Sequence, residues 1–176
     1  MNKNFIPDKL IQSFDQLNIL DLKEKKIDTI LLDIDNTLVG YRCALPTPEV
    51  KLWIDKLKKE GFKIAIVSNA KKNRAENFCK DLNIVYIHRA GKPAGTGINK
   101  ALGLLDSRPT GTVFIGDQIF TDIFGANRLG IYSVLVKPIS KDESIYCKFK
   151  RVLEKRVHKK INNKKSASYK SKQITD

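Results

Sequence analysis

A chain of 176 residues has room for one domain with a sizeable core and not for two comfortable ones. Its 33 basic against 19 acidic residues give a net charge of +14, and residues 141–176 alone hold 12 basic and 4 acidic side chains, more than half of the excess; such a field favours polyanionic partners, either nucleic acid or an anionic membrane face. Cys43, Cys79 and Cys147 are too scattered for a disulfide framework or a zinc site, and neither a signal-peptide core nor a run of about 18 apolar residues occurs, so the expectation is a protein of the reducing cytoplasm that meets a membrane only peripherally, at its inner face.

Pro7 and Asp8 open residues 1–26, where Leu10, Ile11, Phe14 and Leu17 recur at helical spacing and predict a helical extension whose apolar face docks on the domain. Residues 27–34 are nearly all apolar, as a strand buried on both faces requires, and they run into Asp33-Ile34-Asp35-Asn36-Thr37, where the strand gives way to a loop. Pro46 and Pro48 introduce a helix to about residue 60, with Val50, Leu52, Trp53, Ile54 and Leu57 inward and Gly61 as its stop. A strand over 62–67 ends in Ser68-Asn69, a polar helix follows over 71–81, and a strand over 84–87 leads to the loop Ala90-Gly91-Lys92-Pro93. A helix over 97–105, a strand over 112–115 closing on Gly116-Asp117, a short helix over 119–129 and a strand over 131–136 complete the pattern.

This alternation predicts an α/β fold: a Rossmann-like three-layer α/β/α domain over 27–140 with a five-stranded parallel sheet. Residues 141–160 follow as a basic amphipathic helix, with Ile145, Phe149, Val152, Leu153 and Val157 in a stripe, and residues 161–176 are a lysine-rich tail expected to be disordered.

Taken alone, Asp33-Ile34-Asp35 is open to two readings, strand-exit turn chemistry or a paired-carboxylate site. Position separates them. Asp33 and Asp35 follow the first strand, Ser68 the second, Lys92 the third, and Asp117 the fourth with Asp122 five residues on. In a parallel sheet these loops converge on one edge. Carboxylates meeting there repel unless a cation joins them, and hard oxygen ligands suit Mg²⁺. A metal, a lysine, a serine hydroxyl and backbone amides together make a receptor for a phosphoryl group. One acid can then attack phosphorus to form an aspartyl-phosphate, while the other protonates the leaving oxygen and later takes a proton from water. Ordered by strand position, Asp33 is the nucleophile and Asp35 the acid/base.

The set Asp33-Ile34-Asp35-Asn36-Thr37, Ser68-Asn69, Lys92-Pro93 and Gly116-Asp117-Gln118-Ile119-Phe120-Thr121-Asp122 resembles the four signatures of the haloacid dehalogenase (HAD) superfamily of phosphohydrolases. The resemblance implies that Asp33 attacks and that Asp35 serves as acid/base and offers Mg²⁺ its backbone carbonyl. It implies that Asp33 and Asp117 bind the metal through their carboxylates, with Asp122 in the acidic cluster through water. It also implies that Ser68, Asn69 and Lys92 hold the phosphoryl group and that Thr37 braces the loop. A closer likeness is to the YqeG-like branch of subclass IIIA, carried by Pro7-Asp8, Ser68-Asn69-Ala70, Arg74 and Lys150-Arg151-Val152-Leu153-Glu154. That branch is similar to mitochondrial and plastid phosphatases that convert phosphatidylglycerophosphate to phosphatidylglycerol, which implies a lipid substrate and makes Arg74 a candidate head-group contact.

Spacing leaves no room for a cap domain: about ten residues separate Asp35 from the first helix, and about 24 separate Ser68 from Lys92. An uncapped site suits a phosphate carried on something large, whereas small metabolites usually need enclosure. With the basic segment over 141–160, which an anionic bilayer attracts, the expectation is a phosphorylated anionic lipid approached at a membrane surface. Three rivals stand beside it. The same chemistry on nucleic-acid ends would use the charge equally well, although few aromatics interleave the tail for base stacking. A phosphorylated receiver switch shares the acidic pocket but lacks an acid two residues after its phosphorylated Asp. A basic RNA- or ribosome-binding protein would carry the site as a vestige.

Overall fold

Six parallel strands, β1 (Lys9–Ile11), β2 (Thr29–Leu32), β3 (Lys63–Val67), β4 (Val85–Ile87), β5 (Thr112–Gly116) and β6 (Tyr132–Val136), form one sheet in the computed structural model, which describes residues 3–140. They lie in the order β1-β6-β5-β2-β3-β4. The basic segment expected at 141–160 and the tail expected at 161–176 lie outside the described residues.

The central strands are buried on both faces, and their alternation divides the core in two. Ile30 and Leu32 of β2, Ile64 and Ile66 of β3, and Val113 and Ile115 of β5 join the larger cluster. It is covered by α1 (Ile19–Glu24), α2 (Pro48–Lys59) and α3 (Lys72–Cys79), which contribute Leu22, Trp53, Ile54, Leu57 and Phe78. Leu31, Ala65, Val67 and Phe114 face the other way, where α4 (Thr96–Leu104) and α5 (Phe124–Arg128) supply Ile98, Ala101 and Ala126. The result is the expected three-layer arrangement, in which parallel strands read as continuous apolar runs because neither face meets water.

Two expectations are corrected. The sheet has six strands rather than five, because residues 9–11 form an edge strand where helical spacing predicted a helix. The register Leu10↔Leu135 places them beside β6, and Asp8 fixes it: Ser133 donates to Asp8 Oδ2 from its backbone N at 2.7 Å and from its hydroxyl at 3.1 Å. Three residues are too few to show strand alternation, and Phe14 and Leu17, which completed the helical spacing, enter the larger core from the segment that follows. In α2, Leu52 is 71% exposed rather than inward. At 100° per residue it lies opposite the stripe of Val50, Trp53, Ile54 and Leu57.

Consecutive strands run outward from β2 on one side through β3 and β4, while β5 and β6 lie on its other side. The carboxyl ends of β2 and β5 therefore form the switch point of the sheet, where open α/β folds bind ligands. Among the described residues no cap domain is inserted: the segment between β2 and α2 is a loop, and β3 leads through a short loop into α3.

Candidate active site

The loop after β2 begins under control of the sheet and then turns sharply. Asp33 N donates to Ile115 O at 3.0 Å, which extends the pairing with β5 by one residue. The Ile34 carbonyl then accepts from the amides of Thr37, Leu38 and Val39, at 3.3, 3.0 and 3.3 Å, so the chain curls back on itself. Asn36 takes a left-handed φ of 61° at the bend, a conformation Asn adopts more readily than most side chains. The two acids are thereby sent to different surroundings.

Asp33 is buried, and its Oδ1 accepts from Lys92 Nζ at 2.7 Å. Lys92 is itself only 6% exposed; its ammonium lies 2.8 Å from Asp122 Oδ1 and 5.2 Å from the centre of the Phe114 ring. Burial alone would favour the neutral amine, but the Asp122 and Asp33 carboxylates hold the pKa of Lys92 above the ordinary lysine range. Burial pushes the Asp122 carboxyl up, opposed by Lys92 and by the backbone amide of Gln118, which donates to Asp122 Oδ2 at 3.0 Å.

Asp35 is half-buried beside a different cation. Arg74 Nη2 donates to Asp35 Oδ1 at 3.0 Å, and Arg74 Nη1 donates to Ala44 O at 2.6 Å. Burial raises the pKa of Asp35 above the usual carboxylate range, the Asp33 carboxylate adds to the rise, and Arg74 works against both. The Asp35 carboxyl is thus moved toward a range useful for giving and taking protons.

The remaining residues converge from neighbouring loops. Ser68 is buried at the end of β3, its Oγ accepting from Ala70 N at 3.2 Å. The Asn69 side chain grips the backbone of Lys92 from both ends, accepting from Lys92 N at 2.9 Å and donating to Lys92 O at 3.1 Å. Thr37 Oγ1 donates to Asp117 Oδ1 at 3.4 Å. Carboxylate oxygens of Asp33, Asp117 and Asp122, all buried, lie within 4.8 Å of one another. Three carboxyl groups face the single Lys92 ammonium, and charge left uncompensated out of water is expensive. A small hard divalent cation fits both the charge and the all-oxygen donor set.

Residues 2–136 match the haloacid dehalogenase-like hydrolase family. The chain belongs to that family. Within it, this hydrolase is 33% identical over 164 residues to the probable phosphatase YqeG of Bacillus subtilis, covering 93% of this chain and 95% of that protein. It is 32% identical over 134 residues to phosphatidylglycerophosphate phosphatase 1, chloroplastic/mitochondrial, of Arabidopsis thaliana, a match over 69% of this chain but only 38% of the plant protein. Among solved structures, the cobalt-bound deoxy-D-mannose-octulosonate 8-phosphate phosphatase of Haemophilus influenzae superposes with a TM-score of 0.53 at 17% identity, over 72% of this chain and 75% of that one. An uncharacterized protein from Listeria monocytogenes gives 0.54 at 20%, over 68% and 85%. At these identities the superpositions speak for the fold.

Sequence reasoning singled out Asp33, Asp35, Thr37, Ser68, Asn69, Arg74, Lys92, Asp117 and Asp122, and the hydrolase fold gathers them all at one sheet edge. Three contacts of this site were not foreseen. Arg74 reaches Asp35, so its guanidinium is engaged inside the site. Asn69 is spent on the Lys92 backbone and positions that lysine. Gly116 is the third: a Cβ there would lie 2.4 Å from Asp122 Oδ2 and 2.5 Å from Asp122 Cβ and Cγ. Gly beside an acid at a strand end was the available signal for this close approach.

Proposed function

We propose that this hydrolase is a Mg²⁺-dependent phosphatase that acts through an aspartyl-phosphate and that its substrate is phosphatidylglycerophosphate. The observation that carries the chemistry is the separation of two acids only two residues apart. Asp33 is pinned by the buried Lys92 ammonium, and Asp35 is lifted by burial and steadied by Arg74. Paired titratable groups in unlike surroundings are the usual mark of divided roles.

In the first step an Asp33 carboxylate oxygen attacks phosphorus, the bond from phosphorus to the ester oxygen breaks, and Asp35 gives its proton to that oxygen. In the second step Asp35 takes a proton from water, whose oxygen attacks phosphorus; the acyl-phosphate bond breaks, freeing inorganic phosphate and restoring both acids. Lys92 and Ser68 hold the phosphoryl oxygens, Asn69 keeps Lys92 in place, and Thr37 braces Asp117. Asp33, Asp117, Asp122 and the Asp35 carbonyl would hold Mg²⁺, which would supply positive charge to the transferring group. The cobalt in the H. influenzae phosphatase of the same fold supports a divalent metal here. The likeness to the Arabidopsis enzyme supports the lipid, as does the uncapped opening.

The test is phosphate release by purified protein from phosphatidylglycerophosphate in mixed micelles, beside a terminally phosphorylated oligonucleotide and a set of sugar phosphates. Preferred turnover of the lipid is expected. Asp33→Asn should lower turnover by about 10⁴-fold or more, as loss of a covalent nucleophile does, while the melting temperature shows the fold retained. Turnover of the oligonucleotide without the lipid would defeat the substrate assignment, and an active Asp33→Asn enzyme would defeat the mechanism.

A further inference from the structure

The rim of the active site is apolar and basic in a way the chemistry does not require. Three of the large apolar side chains most exposed among the described residues are Tyr41 at 47%, Leu45 at 58% and Ile139 at 52%, and each is tied to the catalytic loop through a neighbour. Ile139 N donates to Asn36 O at 3.2 Å, and the backbone N and hydroxyl of Ser140 donate to Asn36 Oδ1 at 3.3 and 3.0 Å. Gly40 and Ser140 are close enough that a Cβ on Gly40 would meet Ser140 Oγ at 3.8 Å, which brings Tyr41 and Ile139 to the same part of the rim. Leu45 follows Ala44, whose carbonyl is gripped by the guanidinium that holds Asp35.

The loops that carry and adjoin these side chains are predominantly basic. The loops following β2, β3, β4 and β6 contain no acidic residue outside the site's own Asp33 and Asp35, yet they carry Arg42, Lys71, Arg89 and Lys137, all exposed. Apolar side chains standing among cations are what an anionic lipid surface accommodates, the rings and alkyl groups at the acyl boundary and the cations among the headgroups. Nucleic acid would satisfy the charge but leave Leu45 and Ile139 in water.

We infer that Tyr41, Leu45 and Ile139, flanked by Lys71 and Lys137, form a docking surface that seats the mouth of the active site on an anionic bilayer. The choice of partner rests on the lipid reading above. The surface would present Asp33 and Lys92 to a phosphate at headgroup depth, so that a substrate need not leave the membrane to be hydrolysed.

The experiment measures binding of the full chain to phosphatidylglycerol–phosphatidylcholine vesicles and to phosphatidylcholine vesicles, with turnover of water-soluble nitrophenyl phosphate as control. The wild type should prefer the anionic vesicles. The combined substitution Tyr41→Ser, Leu45→Ser and Ile139→Ser should weaken that binding at least about tenfold, since the remaining exposed half of each side chain is what insertion buries. The pair Lys71→Glu and Lys137→Glu, which touches no apolar residue and guards against a folding failure of the first variant, should also weaken it at least about tenfold. Nitrophenyl phosphate turnover should stay unchanged in both. Unaltered vesicle binding by both variants overturns the inference, as does loss of soluble turnover in step with binding. So does a result in which these substitutions weaken binding of a single-stranded RNA and leave vesicle binding intact. If the variants behave as expected but the wild type turns over no phosphatidylglycerophosphate, the docking surface stands and the substrate assignment falls.

Discussion

Gly116→Ala tests how tightly the site is built, because it presses one methyl group against Asp122 while removing no side chain of the site. The new Cβ would lie 2.4 to 2.5 Å from three atoms of Asp122, whereas ordinary contact begins near 3.4 Å, so one side must give by about 1 Å. Asp122 cannot yield cheaply: its Oδ1 meets Lys92 Nζ at 2.8 Å and its Oδ2 receives Gln118 N at 3.0 Å. Gly116 cannot yield cheaply either, since it pairs with Leu135 of β6 at the end of a fully buried strand. Overpacking of this kind costs about 1–3 kcal/mol, and a weakened charge-assisted hydrogen bond about 1.5–3 kcal/mol more. A loss of about 3–4 kcal/mol corresponds to a fall of roughly 10 °C in melting temperature for a domain of this size. Displacing Lys92 and Asp33 by a comparable distance should lower turnover about 10²-fold.

Thermal denaturation followed by circular dichroism reads the first effect and initial rates on micellar substrate read the second. The same substitution made in an Asp122→Gly background should cost much less additional stability, because the three clashing atoms are gone. A Gly116→Ala protein with the melting temperature and rate of the wild type would refute the packing argument, and so would an undiminished cost in the Asp122→Gly background.

Arg74→Met should raise the pKa of Asp35 further, because it removes the cation that opposes burial and the Asp33 carboxylate; a group required in its protonated form then works to higher pH, and the alkaline limb of the rate profile on an alkyl phosphate should move upward. An unchanged pH profile with a raised KM would instead make Arg74 a substrate contact. Treatment with EDTA should silence turnover, and Mg²⁺ added back should restore it and raise the melting temperature by mass action, worth about 2.7 kcal/mol at a hundred times the dissociation constant; full activity in the chelator would refute the metal site. Burial pushes the Cys79 thiol up to about 12, so it should resist a thiol reagent in native protein and react on unfolding, as the native reactivity of a Cys79→Ser variant compared with wild type would show.

The sheet and its helices were legible because parallel strands buried on both faces leave unbroken apolar runs, and five such runs stand between helical segments. The edge strand β1 was not legible, since its three residues depend on pairing with β6 and on the Asp8–Ser133 contact 125 residues away. The gathering of Asp33, Ser68, Lys92 and Asp117 at one edge was legible for a topological reason: each follows a strand, and strands that run parallel deliver their ends together. Distances within that edge were not. Nothing in the local pattern joins Arg74 to Asp35 across 39 residues, or shows that Asn69 would spend its amide on the Lys92 backbone 23 residues on. Those contacts depend on rotamers and on the depth of each loop, which spacing alone does not carry.

The unforeseen contacts have one consequence in common. Asp33 and Asp35 share a loop and differ by one turn of backbone, so nothing in their chemistry distinguishes an attacking carboxylate from a proton carrier. The distinction comes from the cations. Lys92 sits inside the pocket, buried and shared between Asp33 and Asp122. Arg74 approaches Asp35 from α3 while also holding Ala44, the residue before Leu45 on the proposed docking rim. A bilayer that moved the loop around Ala44 would therefore act on the same guanidinium that sets the position of Asp35. Asp35, the proposed acid/base, rather than Asp33, the proposed nucleophile, is the member of the pair exposed to what happens at the rim.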